Sequence, residues 1–444
     1  MRVKMIIILM LFSLSGFSTT IIIKNPVAND SSDTEKLEQF VKSKYLLAES
    51  YMGMQSYSEA LKLFMQIDSV MPSNANINYK LGLCIYNISD DKTNAIKCFE
   101  KAVANINKNY KSDYSETTAP VVSLLYLAKS YHNEYMFDKA KETFEKYKEN
   151  VSADDITEIN MIDRYISICE NGSKLMKSSL NPQIKILSAE FNTENSDRSI
   201  MASNDNSVLI YSTVNKNEKT KNADNTTFYL STLEGQKWAK PMKIDNNFNT
   251  ISNEYSSKLS LRKKEFFISK NINGKKELYN ISYKDGKWTE PIKLGPSVNS
   301  KAVESASITP DGNTLYFSSN REGGYGGYDI YVCEKLSDGS WSKPVNLGPQ
   351  VNTSYDDQSP YISNDAATLY FSSQGHNTMG GYDVFFSTLS DEGLWGDAEN
   401  IGYPINTPQD DLFYFPSSDE SKAFYSSTKD GGQGSEDIYI IYYK

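Results

Sequence analysis

Histidine is almost missing from this chain: His132 and His376 are the two in 444 residues. They fall in stretches of opposite texture, so a histidine-based catalytic triad, or a two-histidine metal site within one domain, is excluded. Cysteine is scarce too. Cys84, Cys98, Cys169 and Cys333 show neither paired nor metal-type spacing and read as small buried apolar residues, with a Cys84 to Cys98 disulfide left open as an alternative. No Gly-x-Ser-x-Gly elbow, phosphate-cradling glycine loop or Cys-x-x-Cys occurs. Lys and Arg total 46 against 56 Asp and Glu, a formal charge of -10. A chain without basic excess is poorly suited to a phosphate backbone, so nucleic acid is not expected as a partner.

Long apolar runs are confined to the start. Arg2 and Lys4 precede MIIILMLF, and the small-x-small triplet Gly16-Phe17-Ser18 follows, so residues 1–18 have the layout of a secretory signal peptide. Export to the periplasm or the outer membrane is the expectation. No cysteine follows the run to support lipid attachment, and no later stretch is long enough to predict a membrane span.

The third scarce residue measures the chain. Trp238, Trp288, Trp341 and Trp395 are separated by 50, 53 and 54 residues, an internal repeat. Eleven residues beyond each stands an asparagine, Asn249, Asn299, Asn352 and Asn406, and an acid follows five places later at Glu254, Glu304, Asp357 and Asp411. Each unit ends alike, in TLYFSSNREGGYGGYDIYV, TLYFSSQGHNTMGGYDVFF and KAFYSSTKDGGQGSEDIYI, placing Asp329, Asp383 and Asp437 at intervals of 54. Short β-rich runs alternate with turn chemistry such as PDGN at Pro310 to Asn313, which predicts four antiparallel strands per unit, the blade of a propeller. Inter-unit loops near Asp197, Glu254, Glu304, Asp357 and Asp411 give five blades. The last unit stops before any tryptophan strand, and ILSAEFNTENSD near the domain's start carries Leu187, Phe191, Asn192 and Asp197 in the matching pattern. Gln183 to Phe191 is therefore expected to complete the last blade and close the ring. A sixth blade in the polar Asn215 to Asn225 region is the alternative.

Residues 33–178 carry apolar positions at helical spacing. Leu47-Ala48, Tyr51, Tyr57, Ala60, Phe64 and Pro72 form one copy of a shorter repeat; Leu81-Gly82, Ala95, Phe99 and Ala102 a second; Leu127-Ala128, Tyr131, Phe137, Ala140 and Phe144 a third, after an insertion near Asn107 to Thr118. Residues 154–176 would cap the stack, and 178–183, with Pro182, read as linker. The pattern resembles the tetratricopeptide family, which implies paired antiparallel helices and a concave groove for a peptide or a neighbouring domain. The plainer reading is that the groove packs against the chain's own second half.

SITPDGNTLYFSSNREGG resembles the S-P-D-G-x-x-L-x-F-x-S-x-R repeat of TolB-like propellers, over residues 183–444. The first two units lack the Asp-Gly turn, and kelch propellers, with another order of glycine, tyrosine and tryptophan, rank behind. The implied architecture is α plus β multidomain, an N-terminal tetratricopeptide solenoid followed by a closed five-bladed propeller. Together the two parts are similar to the front half of bacterial envelope proteins that end in an OmpA-like domain, some of them in type IX secretion machinery. This chain ends before such an anchor, so peptidoglycan binding is not carried over.

Two functional readings follow. The leading one is a non-enzymatic scaffold or adaptor binding envelope proteins or peptides, its oligomeric state unspecified. Repeat-wide residues serve what all blades share, which assigns packing and turns to Trp238, Trp288, Trp341, Trp395, Asn192, Asn249, Asn299, Asn352, Asn406, Asp329, Asp383 and Asp437. Positions that differ between blades on the same face, Arg321, Tyr325, His376, Met379 and Lys429, are the candidates for partner contact. No cofactor is expected; calcium or a sugar on the repeated aspartates is the alternative ligand. The second reading is a glycan-binding or glycan-hydrolysing propeller, because two carboxylates suffice for glycoside hydrolysis. His132 reads as a surface or half-buried residue.

Overall fold

The computed structural model describes residues 31–89, 91–179, 181–202, 207–215, 225–235, 237–244, 255–260, 265–285, 287–417, 419–429 and 431–443. The signal-type segment 1–18, Asn249, Glu254 and most of the Lys-rich insert lie outside the described residues.

Helices come first: α1 (Ser31–Gly53), α2 (Tyr57–Asp68), α3 (Ala75–Ile88), α4 (Thr93–Val103), α5 (Ser123–Asn133), α6 (Phe137–Lys148) and α7 (Ile156–Lys177). The small residues of the repeat set how closely the pairs approach. Ala48, Ala60, Ala95, Ala102, Ala128 and Ala140 are fully buried, and a Cβ at Gly82 would stand 2.6 Å from the Phe99 ring. Asn74 caps α3 by accepting from the Ile77 N–H at 3.0 Å, and Asp155 caps α7 through the Glu158 N–H at 3.1 Å. Leu47, a large position of the repeat pattern, is instead exposed.

The insertion before α5 folds back over the side formed by the first helices of the pairs. Ile106–Asn107 pairs in parallel with Ala119–Pro120. Asn76 donates to the Asp113 carbonyl at 3.0 Å and accepts from the Tyr110 hydroxyl at 2.6 Å, while Asn74 donates to the Glu116 carbonyl at 3.0 Å. Lys80 pairs with Glu49 at 3.0 Å beneath the same segment. As a result residues 75–84 of α3 are all buried.

Five sheets follow. In blade 3, Val303–Ile308, Thr314–Ser319, Asp329–Glu334 and Val345–Asn346 run antiparallel in that order; in blade 4 the strands are Asp357–Ile362, Thr368–Ser373, Asp383–Thr388 and Glu399–Asn400. Blades 1 and 2 begin at Ser196–Ala202 and Tyr255–Ser260. Blade 5 is Asp411–Pro416, Lys422–Ser427, Asp437–Tyr442 and, as its outer strand, Gln183–Ile186 from the other end of the domain. Ile441 lies opposite Ile184 and Tyr439 opposite Ile186, so the expected closure is what the chain adopts.

The first strands of neighbouring blades touch one another around the ring, the last against the first. Each junction has its own apolar core, and the core between blades 5 and 1 joins Leu187, Phe191, Leu209 and Tyr211 to Phe415, Phe424 and Ile438. Five sheets with five such cores close the ring. The sixth-blade alternative is not met: Asn215 pairs with Asn225, so the strands flanking the insert belong to one hairpin of blade 1.

The tryptophans pack in these junctions. Trp238 of blade 1 meets Phe424 of blade 5 at 6.2 Å, and Trp395 of blade 4 meets Tyr316 of blade 3 at 6.0 Å, both edge to face. Trp341 packs against the blade 2–3 core, and Trp288 lies edge-on to Phe266, 5.0 Å away. All four cysteines are free, which answers the Cys84 to Cys98 alternative. Among the described residues no helix is long and apolar enough to cross a membrane.

Candidate functional sites on the ring and at the domain junction

The repeated asparagines replace missing strand. The outer strand of blade 3 pairs at only two residues, Asn346 with Tyr331 and Val345 with Val332. Beyond it the Leu347 N–H still reaches the Ile330 carbonyl at 3.1 Å, but the Ile330 N–H would lack an outer partner. Asn352 supplies one, accepting from the Ile330 N–H at 2.7 Å and donating to its carbonyl at 2.9 Å. Asn406 does the same for Val384 (2.7 and 2.8 Å), Asn299 for Leu278 (2.7 and 2.9 Å) and Asn192 for Ile438 (2.8 and 3.0 Å). Each of these carbonyls also accepts a backbone N–H, so the buried amide spares the desolvation cost of one unpaired N–H and adds a second bond to the carbonyl.

The repeated aspartates staple the loop between second and third strands. Asp329 accepts from the Tyr325 and Gly326 N–H groups at 2.6 and 3.0 Å, Asp383 from the Met379 N–H at 2.9 Å, and Asp437 from Gln433 and Gly434 at 2.9 and 3.1 Å. Glycine is required beside them, because a Cβ at Gly326 would stand 2.0 Å from the Tyr355 carbonyl of the next blade. A second set, Asp197, Asp357 and Asp411, accepts from the N–H and hydroxyl of Thr193, Thr353 and Thr407, at 2.6 to 3.0 Å. Burial pushes the Asp357 and Asp383 carboxyls up to about 7 against these hydrogen bonds. Among the described residues no group of three or more His, Cys, Asp or Glu is placed to hold a metal ion.

The blade-variable residues divide. Arg321 lies over the Phe317 and Tyr331 rings, 4.7 and 4.8 Å from their centroids, and donates to the Val298 carbonyl at 2.8 Å. His376 packs against Phe371 and Phe385 and lies 2.9 Å from the matching carbonyl, that of Val351. It does so from one residue later in the loop: Gly375 holds the position equivalent to Arg321, where a Cβ would stand 2.3 Å from the Thr353 hydroxyl, and His376 takes φ 49°. Lys429 lies over Tyr425 and Tyr439 in blade 5 at 5.0 and 3.8 Å; burial lowers its ammonium pKa and raises that of the Asp411 carboxyl facing it. All three side chains therefore fold back onto their own blades, where the sequence reading has them facing a partner. Tyr325, in contrast, is 52% exposed.

Met379, in the same loop position as Tyr325, is fully buried, and what buries it is the helical domain. It belongs to the apolar core formed by α3 to α7, with Leu124, Ala128, Phe137 and Ile162. Its carbonyl oxygen lies 2.9 Å from Nε2 of His132. His132 is thus a buried junction residue rather than a surface or half-buried one, because the propeller covers it; burial lowers its pKa, favouring the neutral ring. Asn171 donates to the Thr378 carbonyl at 3.1 Å and Arg164 to that of Gln374 at 2.9 Å, its guanidinium lying 3.6 Å from the centre of the Tyr355 ring. Tyr135 meets Tyr403 edge to face at 5.9 Å. The first-helix side of the solenoid thus has two occupants from its own chain, the 106–120 insertion and the loops of blades 3 to 5. The plainer sequence reading, a groove packed against the chain's own second half, anticipates this contact but not the residues that make it; the signal available was that Met379 alone puts an unbranched apolar side chain into a loop that is otherwise polar or aromatic.

At the ring end bearing these loops lie further carboxylates. Asp356 accepts from the Tyr328 N–H at 2.8 Å and the Tyr382 hydroxyl at 3.2 Å, and Asp410 from the Tyr382 N–H at 2.9 Å. Glu436 accepts from Ser426 at 2.7 Å and faces Arg198 at 3.7 Å. Burial raises the pKa of both Asp410 and Glu436, and the charge on Asp410 adds to the rise at Glu436.

Comparison with known proteins agrees with the helical part. Residues 122–152, which hold α5 and α6, match the family model described as tetratricopeptide repeat. No curated protein matches the chain. Among solved structures it is similar to a putative TolB from Agrobacterium tumefaciens, at 17% identity, covering 60% of this chain and 99% of that one with a TM-score of 0.36. It is also similar to an α-L-arabinofuranosidase from Lactobacillus brevis (11% identity, 60% and 93% covered, TM-score 0.38) and to a levansucrase variant of B. subtilis (9%, 59% and 86%, 0.39). At these scores the likenesses bear on neither activity nor partner. The fold, among the described residues seven helices of tetratricopeptide type followed by a five-bladed propeller, stands on its own topology.

Proposed function

We propose that this protein is a non-enzymatic scaffold or adaptor of the bacterial cell envelope, exported by its N-terminal segment and binding envelope proteins or peptides in outer-membrane or type IX secretion assemblies. The observation that carries the reading is the junction. Two repeat domains are held in one orientation by a buried methionine, a buried histidine and two further side-chain contacts to backbone carbonyls. A fixed angle between two surfaces suits a part that positions others. Tyr325 on blade 3 and the row Met242, Ile292 and Val345, exposed at one register of the outer strands of blades 1 to 3, supply apolar contact area away from the junction. The test is affinity capture from envelope extract with wild type, Tyr325→Ser and a triple serine variant of the rim row. Partners lost with either variant support the scaffold, and a partner list identical for all three sinks it.

A second reading, a glycan-hydrolysing ring, is favoured by Asp410 and Glu436, because a buried carboxyl with a raised pKa suits a general acid. Glu436 is engaged by Arg198 and Ser426, which counts against a free catalytic pair. Hydrolysis of an oligosaccharide panel, abolished by Asp410→Asn or Glu436→Gln with the melting temperature kept, would establish this reading over the first.

A further inference from the structure

Between the insertion and the docked loops, part of the solenoid's inner side stays open. A cleft of about 410 Å³ lies there, floored by Tyr86 of α3, Lys129 of α5 and Arg164 and Tyr165 of α7, and walled by Gly380 and Gly381 of blade 4. The propeller wall cannot carry side chains at these glycines, since a Cβ at Gly380 would stand 2.3 Å from the Thr407 carbonyl and one at Gly381 2.0 Å from an Asp410 oxygen. Gly380 matches the packing glycine Gly326 of blade 3, so the repeat's own loop packing leaves the propeller wall of the cleft as bare backbone.

Its chemistry departs from that of the whole chain. In a protein with net charge -10, the cleft lining holds two permanent cations and no carboxylate. Neither cation is neutralised by an ion pair among the described residues: Lys129 lies over the Tyr165 ring at 5.0 Å, and Arg164 donates to a backbone carbonyl while lying over Tyr355. Cations that line a recess with aromatic walls attract an anion that has an apolar or ring-shaped body, and recesses between domains are favoured places for ligands. We propose that this cleft binds a carboxylate-bearing ligand, the carboxylate between Lys129 and Arg164 and the body against the ring edges of Tyr86 and Tyr165, whose faces are taken by Lys92, Phe144 and Lys129. An acidic peptide segment and an acidic sugar carry that chemistry alike. Because both domains line the cleft, the bound ligand ties them together and raises the melting temperature of the junction.

The experiment is calorimetric titration of the full chain with penta-glutamate and with trigalacturonate, using penta-glutamine and galactotriose as neutral counterparts. One anionic probe is expected to bind at one per chain, losing affinity by about tenfold in Lys129→Met and in high salt. The probe that binds names the source. Lys129→Met keeps the stem against Tyr165 and removes only the charge; Lys62→Met, on α2, serves as the control and keeps full affinity. Hydrogen exchange over 161–168 should slow with the bound probe in wild type and not in Lys129→Met. Failure of both anionic probes, equal binding by the neutral ones, or unchanged affinity in Lys129→Met would each overturn the proposal. None of these results depends on the scaffold reading.

Discussion

The loops joining second to third strand in blades 3 and 4 share length, the closing Gly-Gly-Tyr-Asp and a stapling aspartate, yet one faces solvent and the other is the bolt of the molecule. Tyr325 is 52% exposed, and Met379, 54 residues later, is fully buried in the helical core. The backbone of each is held by an N–H to carboxylate bond, at 2.6 Å in blade 3 and 2.9 Å in blade 4. The ring thus supplies equivalent stapled loops, and the residues in which they differ, Met379 above all, mark the one that docks the solenoid. Repetition sets the scaffold, and its local breach sets the quaternary-like arrangement of the two domains.

The comparison breaks most easily at Met379. Met379→Asp puts an unpaired charge into the helical core, which costs about 3–5 kcal/mol, enough to undock the solenoid while both domains stay folded. Small-angle scattering should then report a larger radius of gyration, and proteases should cut at 178–182; unchanged scattering would show that the remaining contacts suffice. Asn352→Ala attacks the shared part instead. It leaves the Ile330 N–H without its outer partner, while the carbonyl keeps the Leu347 N–H, and should lower ring stability by about 1–3 kcal/mol in denaturant titration, with the junction intact.

Proton linkage separates the two regions further, with opposite signs. Asp357 and Asp383 are raised to about 7 by burial, above the ordinary 3.8. Their contribution is fully present below about pH 4 and is lost as pH rises through 7, so the ring should weaken over that window. Asp383→Asn should flatten the slope of the melting temperature against pH; an unaltered slope would place the titration elsewhere. His132 is lowered by burial, so its contribution is present above the ordinary histidine pKa and lost as pH falls below about 6.5. The junction should therefore loosen toward acid, as read by proteolysis at the linker, and His132→Gln, a neutral donor, should remove that dependence. Smallest of all, Tyr325→Ser should leave stability within about 0.5 kcal/mol and alter only what the chain captures.

Much of the ring was legible because its constraints recur. Blade count, closure by residues 183–186 and the packing role of the tryptophans follow from matching one unit against the next. The solenoid was legible through alanine and glycine at helix contacts. Sequence misassigned Arg321, His376 and Lys429, since a long polar side chain in a variable loop looks solvent-facing. What turns them inward is a through-space fact, the aromatic pair beneath each loop, joined by a backbone carbonyl for Arg321 and His376 and by the Tyr425 hydroxyl for Lys429. His132 and Met379 were misread for a related reason: their partner lies 247 residues away, and no local pattern records it.

Hydrogen exchange across α5 and α7 tests the junction most directly, comparing wild type with Met379→Asp. The docked arrangement predicts that amides at 128–133 and 161–171 lose protection in the variant while those of α2 and α4 keep it. Equal protection in both proteins across all four helices would contradict it.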